Sequence, residues 1–168
     1  ERMILAATFN TEVYEEVEAD RSATVQAMLV VVMVAMASGI GTLGAAGAIG
    51  FVIGVLNGVV SWAIWAYITF VIGTTLFRTP ETSADWGELA RTTGFAQSPG
   101  ILRVLGFVPL IGAYIFYAIY LWQLATMVVA VRQALDYRST WRALGVVVVG
   151  FIVLALIQFL LLRVIRGL

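Results

Sequence analysis

The chain has 168 residues, 61% apolar and 12% charged, with a mean hydropathy of +0.98 and a formal charge of zero. Soluble domains carry about 45–50% apolar and about 25% charged residues, so this composition points to a helical membrane protein. The neutral balance and scattered arginines offer no patch for nucleic acid, and the lack of cysteine and histidine removes thiol chemistry and the usual transition-metal ligands.

In chain order, residues 1–20 predict an interfacial amphipathic helix. Leu5, Phe9, Val13 and Val17 recur at four-residue spacing, with Glu12, Glu15, Glu16 and Glu18 around the other side. Asn10 and Thr11 mark a place for a break and a second cap. No basic leader precedes an apolar run, so the segment does not read as a cleaved signal peptide. No charge occurs between Arg21 and Arg78, which is room for two spans, 23–43 and 46–77. Gly39, Gly41, Gly44 and Gly47 mark an uncharged turn between them, assigned to the outer face. In the second span Gly50, Gly54 and Gly58 repeat at four, followed in register by Trp62 and Ala66. Small residues in lipid allow close helix approach, so this stripe is either packing within the chain or a homo-oligomer seam. Asn57 and Ser61 lie beside it.

Residues 78–91 predict a cytoplasmic loop with a short helix. Thr82, Asp85 and Glu88 have the spacing of N-caps with an acid three residues on, which starts the helix near Ser83. Trp86, Leu89, Ala90 and Thr93 share one face, so this helix is expected along the membrane surface, with Trp86 at headgroup depth and Arg91 at its end. A third span follows at 92–108, too polar to face lipid, kinked at Pro99 and Gly100, with Gln97 and Ser98 turned inward. Arg103 within it must snorkel or point into protein. Pro109 and Gly112 form the next turn, and 113–131 is a fourth span containing Gln123. Arg132 and Asp136, at i and i+4, are expected to pair. Arg138 and Arg142 bracket the link to the last span, 143–162.

The fold class predicted is all-α, a single polytopic bundle of five spans. With the N-terminus cytoplasmic, five spans place Arg2, Arg21, Arg78, Arg91, Arg103, Arg132, Arg138 and Arg142 toward the cytoplasm and only Arg163 and Arg166 outside. Merging 101–131 into one span gives four helices and moves Arg132, Arg138 and Arg142 outside, a poorer fit. A multi-pass cell-membrane location follows.

No Asp, Glu, His or Cys falls inside these spans, which argues against an enzyme, a bound cofactor or a metal site. Two candidate sites remain. A cytoplasmic surface of Trp86, Glu88, Arg91, Arg132, Asp136 and Arg138 would meet other membrane proteins. A polar seam of Asn57, Ser61, Gln97, Ser98, Arg103 and Gln123, with Thr92 and Thr93 near it, either lines a path for a lipid or solute or forms a mutually satisfied core.

The order of VYEEVEAD, a glycine-rich second span, RTTGFAQSPG ahead of FVPLIG, and YLWQLATMVVAVRQALDY resembles a prokaryotic member of the Yip family of five-span membrane proteins, over residues 11 to 165. The strongest pieces surround Arg91, Phe95, Pro99 and Pro109, and Trp122 to Tyr137. The resemblance implies a non-enzymatic membrane protein acting as an adaptor, scaffold or membrane-organising factor, with a small transporter or lipid-translocating protein as the alternative. Eukaryotic relatives are implicated in vesicle trafficking through Rab-type GTPases, using a long cytosolic N-terminal region, whereas residues 1–20 alone precede the first span here.

Overall fold

The structure, a computed structural model, describes the backbone of residues 1–41, 43–108 and 110–167, and the side chains of these except 41, 43–46, 107, 165 and 166. The predicted turn residue Pro109 lies outside the described residues, as does the side chain of Arg166. Among the described residues seven α-helices and one 3-10 helix follow one another: α1 Arg2–Ala7, α2 Thr11–Ala19, α3 Ala23–Gly41, α4 Leu43–Thr74, α5 Trp86–Ala96, the 3-10 helix Ser98–Phe107, α6 Gly112–Ala134 and α7 Thr140–Gly167. The chain is an all-α polytopic bundle. Four stretches, Ala23–Ile40, Gly47–Thr74, Gly112–Ala134 and Thr140–Val164, are long and apolar enough to cross a membrane.

Helix α4 runs antiparallel to both α3 and α7. Gly39 of α3 stands against Phe51 of α4, and Gly58 of α4 against Ala35. Gly145 and Gly150 of α7 lie on Phe77 and on the Thr69–Trp65 turn of α4. Helix α4 is broken at Gly47, where φ is +62° and ψ −176°, a conformation open to glycine without steric cost. Its apolar face, including Ile49, Val52, Ile53, Leu56 and Val60, is exposed, as befits a helix solvated by lipid.

The N-terminal segment is two helices rather than one. Phe9 takes a left-handed φ of 63°, and the N–H groups of Phe9 and Asn10 return to the carbonyls of Ala6 and Leu5. That pattern terminates α1 as a Schellman motif. Asn10 then caps α2 by accepting from the Val13 N–H at 3.0 Å. The apolar face of α2 is not laid on lipid. Val13, Tyr14 and Val17 are fully buried with Leu89 and Phe95 of α5 and Val131 and Ala134 of α6 in one core, and the Tyr14 hydroxyl donates to the Ala6 carbonyl.

The expected surface helix and the start of the expected third span are one element. Helix α5 starts at Trp86, three residues later than expected, behind a capping box in which Asp85 and Glu88 each accept from the other's backbone N–H. Every residue from Leu89 to Ala96 is buried, so the helix dives into the bundle instead of lying on the membrane. Two features permit that burial. Thr92 and Thr93 donate back to the Glu88 and Leu89 carbonyls, so their hydroxyls need no other partner. Gly94 lets the backbone reach α3, where a Cβ would stand 2.8 Å from that of Ala27.

A buried helix end leaves carbonyls without partners. Here Ser98 donates to the Phe95 carbonyl at 2.5 Å, and Thr126 of α6 donates to the Ala96 carbonyl at 2.6 Å. Pro99 sits in the first turn of the 3-10 helix, where its missing N–H costs nothing. The segment continues past α3 in the same direction, with Gly94 against Ala27 and Gly100 against Val34.

Candidate intramembrane cavity

A 3-10 helix has three residues per turn, so side chains at i and i+3 eclipse. Gln97, Gly100, Arg103 and Gly106 therefore form one row. Gly100 meets Val34 on one side and Gln123 of α6 on the other, leaving no space for a side chain. Arg103 stacks its guanidinium on Phe116 and Tyr120 of α6, 5.2 and 5.5 Å from the ring centroids. Irregular backbone at membrane depth is tolerated only within protein or beside a cavity, and both conditions hold here.

Two cavities meet at this row. One, of about 180 Å³, lies among α4, the 3-10 helix, α6 and α7, and its walls include Ser61, Trp62, Trp65, Gln97, Arg103 and Gln123. The second, of about 310 Å³, lies between α3, α4 and the 3-10 helix, bounded by Ser38, Gly47, Gly50, Gly54 and Phe116. Gly58, Gln97 and Arg103 border both. Each exceeds many times the ~10–15 Å³ that one water requires.

Several residues around the cavity hold buried polar atoms without partners. Among the described residues, the buried side-chain N and O atoms lacking any hydrogen bond are Arg103 Nε, Gln123 Oε1, Trp62 Nε1, Trp65 Nε1 and Glu18 Oε2. The first four belong to residues lining the 180 Å³ cavity. Gln123 is 8% exposed, and its amide reaches only Gln97, at a long 3.4 Å. The Trp65 nitrogen lies beside Gly150 of α7. Leaving one such group unsatisfied costs about 1–3 kcal/mol, and native structures rarely do so.

Toward the charged end the space closes. Leu135 fills the notch at Gly73, Phe77 lies against Gly145, and Trp65 stacks on Phe151 at 5.1 Å between centroids. The cavities are therefore blind at that end.

The structure brings Ser61, Gln97, Arg103 and Gln123 together at one cavity. Asn57 is different: it is exposed on α4 and lines neither cavity, a correction that follows from its position one residue before Gly58 on the helix. Ser98 is buried but spends its hydroxyl on the Phe95 carbonyl. Of the glycine stripe, Gly58 packs on Ala35, while Gly50 and the exposed Gly54 border the second cavity. Trp62, Trp65 and Tyr120 went unnoticed as cavity residues, although Gly58, Trp62 and Trp65 have the i, i+4, i+7 spacing of one helix face.

The other candidate surface divides. Trp86 is 44% exposed, while Asp136 and Arg138 are exposed and Glu88 is tied into the capping box. Arg91 is a correction. It is 6% exposed, and its guanidinium donates to the Val17 carbonyl at 2.9 Å and to the Glu18 carbonyl, capping the C-terminus of α2. A cation there meets the negative end of the helix dipole. Arg132 does not pair with Asp136. Asp136 takes φ +54° as the left-handed residue of a Schellman motif ending α6, which turns it away, and Arg132 donates to the Tyr137 carbonyl instead. Among the described residues the ion pairs are Arg2 with Glu16 and Asp20, and Arg138 with Glu81. No group of three or more metal-ligating side chains occurs among them.

A family model described as the Yip1 domain matches residues 6–162. No curated protein and no solved structure matches the chain.

Proposed function

The chain belongs to the Yip family of membrane proteins, and from that premise we propose that it works by holding an amphipathic molecule in the blind cavity at Arg103. The observation that carries this reading is Arg103, a cation with no acid partner among the described residues, bordering both cavities beside Ser61, Gln97 and Gln123. A closed inner end suits binding or partial transfer of a lipid rather than an open pore. The family is one of non-enzymatic membrane proteins, and the absence of acids from the long helices agrees with a protein that binds without catalysing.

In this reading α5 and the 3-10 helix make a fifth crossing. Their 11 and 10 residues extend about 16 and about 20 Å, enough for a hydrocarbon core of about 30 Å. Five crossings leave the N-terminus and the charged end cytoplasmic, where Arg2, Arg21, Arg78, Arg91, Arg132, Arg138 and Arg142 gather. A cell membrane is the expected location.

Lipid extracted from the purified chain tests the function. About one tightly held amphiphile per chain is expected in the wild type and none in Ser61→Phe, whose ring fills the cavity. A chain that carries no amphiphile would overturn the reading. An adaptor role is a second reading, favoured by Trp86, Asp136 and Arg138 standing exposed on one rigid end. Crosslinked capture of a membrane partner, lost in Trp86→Ala, would support it.

A further inference from the structure

We infer that the anchor point of this cavity recognises phosphate, and that its occupant is the head group of an anionic glycerophospholipid. The inference rests on the ligand-holding reading above and gives the ligand its chemistry. Arg103 is the sole charged side chain between Arg91 and Arg132. No carboxylate among the described residues pairs with it. A lone arginine at bilayer depth costs about 2.5–3.5 kcal/mol, and two aromatic faces replace only part of what a counter-ion gives. The missing negative charge must come from outside the chain.

The surrounding groups narrow what supplies it. The guanidinium is a planar fork matched to phosphate or carboxylate oxygens. Gln97 and Ser61 border the same space and bring an amide and a hydroxyl donor, which suit a group with several acceptor oxygens. The Ser61 hydroxyl can also accept, and so matches a donor on the same ligand, as the hydroxyl of a glycerol head group provides. Beyond these, Phe151 and Leu154 of α7 continue the wall as hydrocarbon. Phosphate, hydroxyl and hydrocarbon in that order describe a phospholipid, whereas a fatty acid lacks the hydroxyl and a sterol lacks the anion.

The test uses the full chain in an uncharged detergent, with bound molecules counted by native mass spectrometry. Phosphatidylglycerol, diacylglycerol and soluble glycerol 3-phosphate are offered in turn and in competition. The wild type is expected to hold one phosphatidylglycerol, at least about tenfold more tightly than diacylglycerol, with Arg103→Gln erasing the preference and Arg103→Lys keeping part of it. Ser61→Ala, which leaves the arginine in place, is expected to weaken phosphatidylglycerol while keeping its preference over diacylglycerol. Displacement by an equal concentration of glycerol 3-phosphate would make a soluble phosphate ester the ligand and overturn the lipid assignment. Equal binding of phosphatidylglycerol and diacylglycerol would overturn the phosphate inference while leaving a ligand cavity. Failure to bind any of the three would remove both.

Discussion

The two ends of the bundle treat polar groups in opposite ways. At the charged end they are joined across elements: Arg91 to the end of α2, the Tyr137 hydroxyl to the Gly73 carbonyl at 2.8 Å, Arg142 to the Phe77 carbonyl at 3.1 Å, and Gln133 to Glu15 at 2.6 Å. Glycines there are filled by neighbours, Gly73 by Leu135 and Gly145 by Phe77. Toward the opposite end Gly54 has no neighbour within 4 Å of a Cβ position, and Arg103 and Gln123 hold atoms with no partner. One end is tightly joined, and the other keeps space beside a cation that no acid among the described residues pairs.

The largest way to break that contrast is to put volume into the tight side. Gly94→Val would drive its side chain into the Ala27 backbone, 3.2 Å from the carbonyl oxygen at the Cβ alone, and should cost about 3 kcal/mol. Gly54→Ala, on the open side, should leave thermal unfolding in detergent within about 0.5 kcal/mol of wild type or raise it slightly. Equal losses at the two positions would show that the ends are packed alike.

The arginines give the next comparison. Arg91→Ala strips the α2 carbonyls of a charged donor and should cost about 1.5–3 kcal/mol, seen as faster amide exchange across α2. Arg103→Gln, measured without added lipid, should not destabilise, since it removes a cation that no acid neutralises. Tyr137→Phe is a smaller step on the tight side: it deletes the bond to Gly73 and should lower stability by about 1 kcal/mol. No loss in Tyr137→Phe would mean that packing of Leu135 at Gly73 holds that corner alone.

Much of this contrast is open to reading in the sequence, and the parts that are not have two separate causes. Charge-free runs and hydropathy locate the long helices, because lipid leaves few other ways to satisfy a backbone. The Asp85–Glu88 box and the Asn10 break were visible as cap chemistry, which is local. Arg91 was misplaced because its partners, the carbonyls of Val17 and Glu18, are more than seventy positions away, and no residue type advertises a backbone acceptor. The 3-10 helix was hidden for another reason. Read with the 3.6-residue period, Gln97 and Ser98 point inward as a pair; with the 3.0 period, Gln97 aligns with Gly100 and Arg103 and Ser98 leaves the row. A change of period changes which side chains form the site.

Glu18 offers the subtlest test, because among the described residues its Oε2 is the buried side-chain atom on the tight side that lacks a partner. Burial is the main reason that its carboxyl is pushed up from 4.5 to about 8, with Glu15, Glu88 and Asp136 adding repulsion and Arg91 opposing it. The folded protein thus binds a proton that the unfolded chain releases near 4.5. Stability from this group is greatest below that pH and falls as the pH rises through about 8, where the folded form also ionises. Glu18→Gln keeps the shape and removes the titration. The variant should unfold at the same temperature as wild type near pH 4, gain a few degrees by about pH 8.5, and gain no more above that. A gain already complete at pH 4 would assign the effect to packing, and a loss at pH 8.5 would mean that the ionised carboxylate serves Arg91 better than the neutral one.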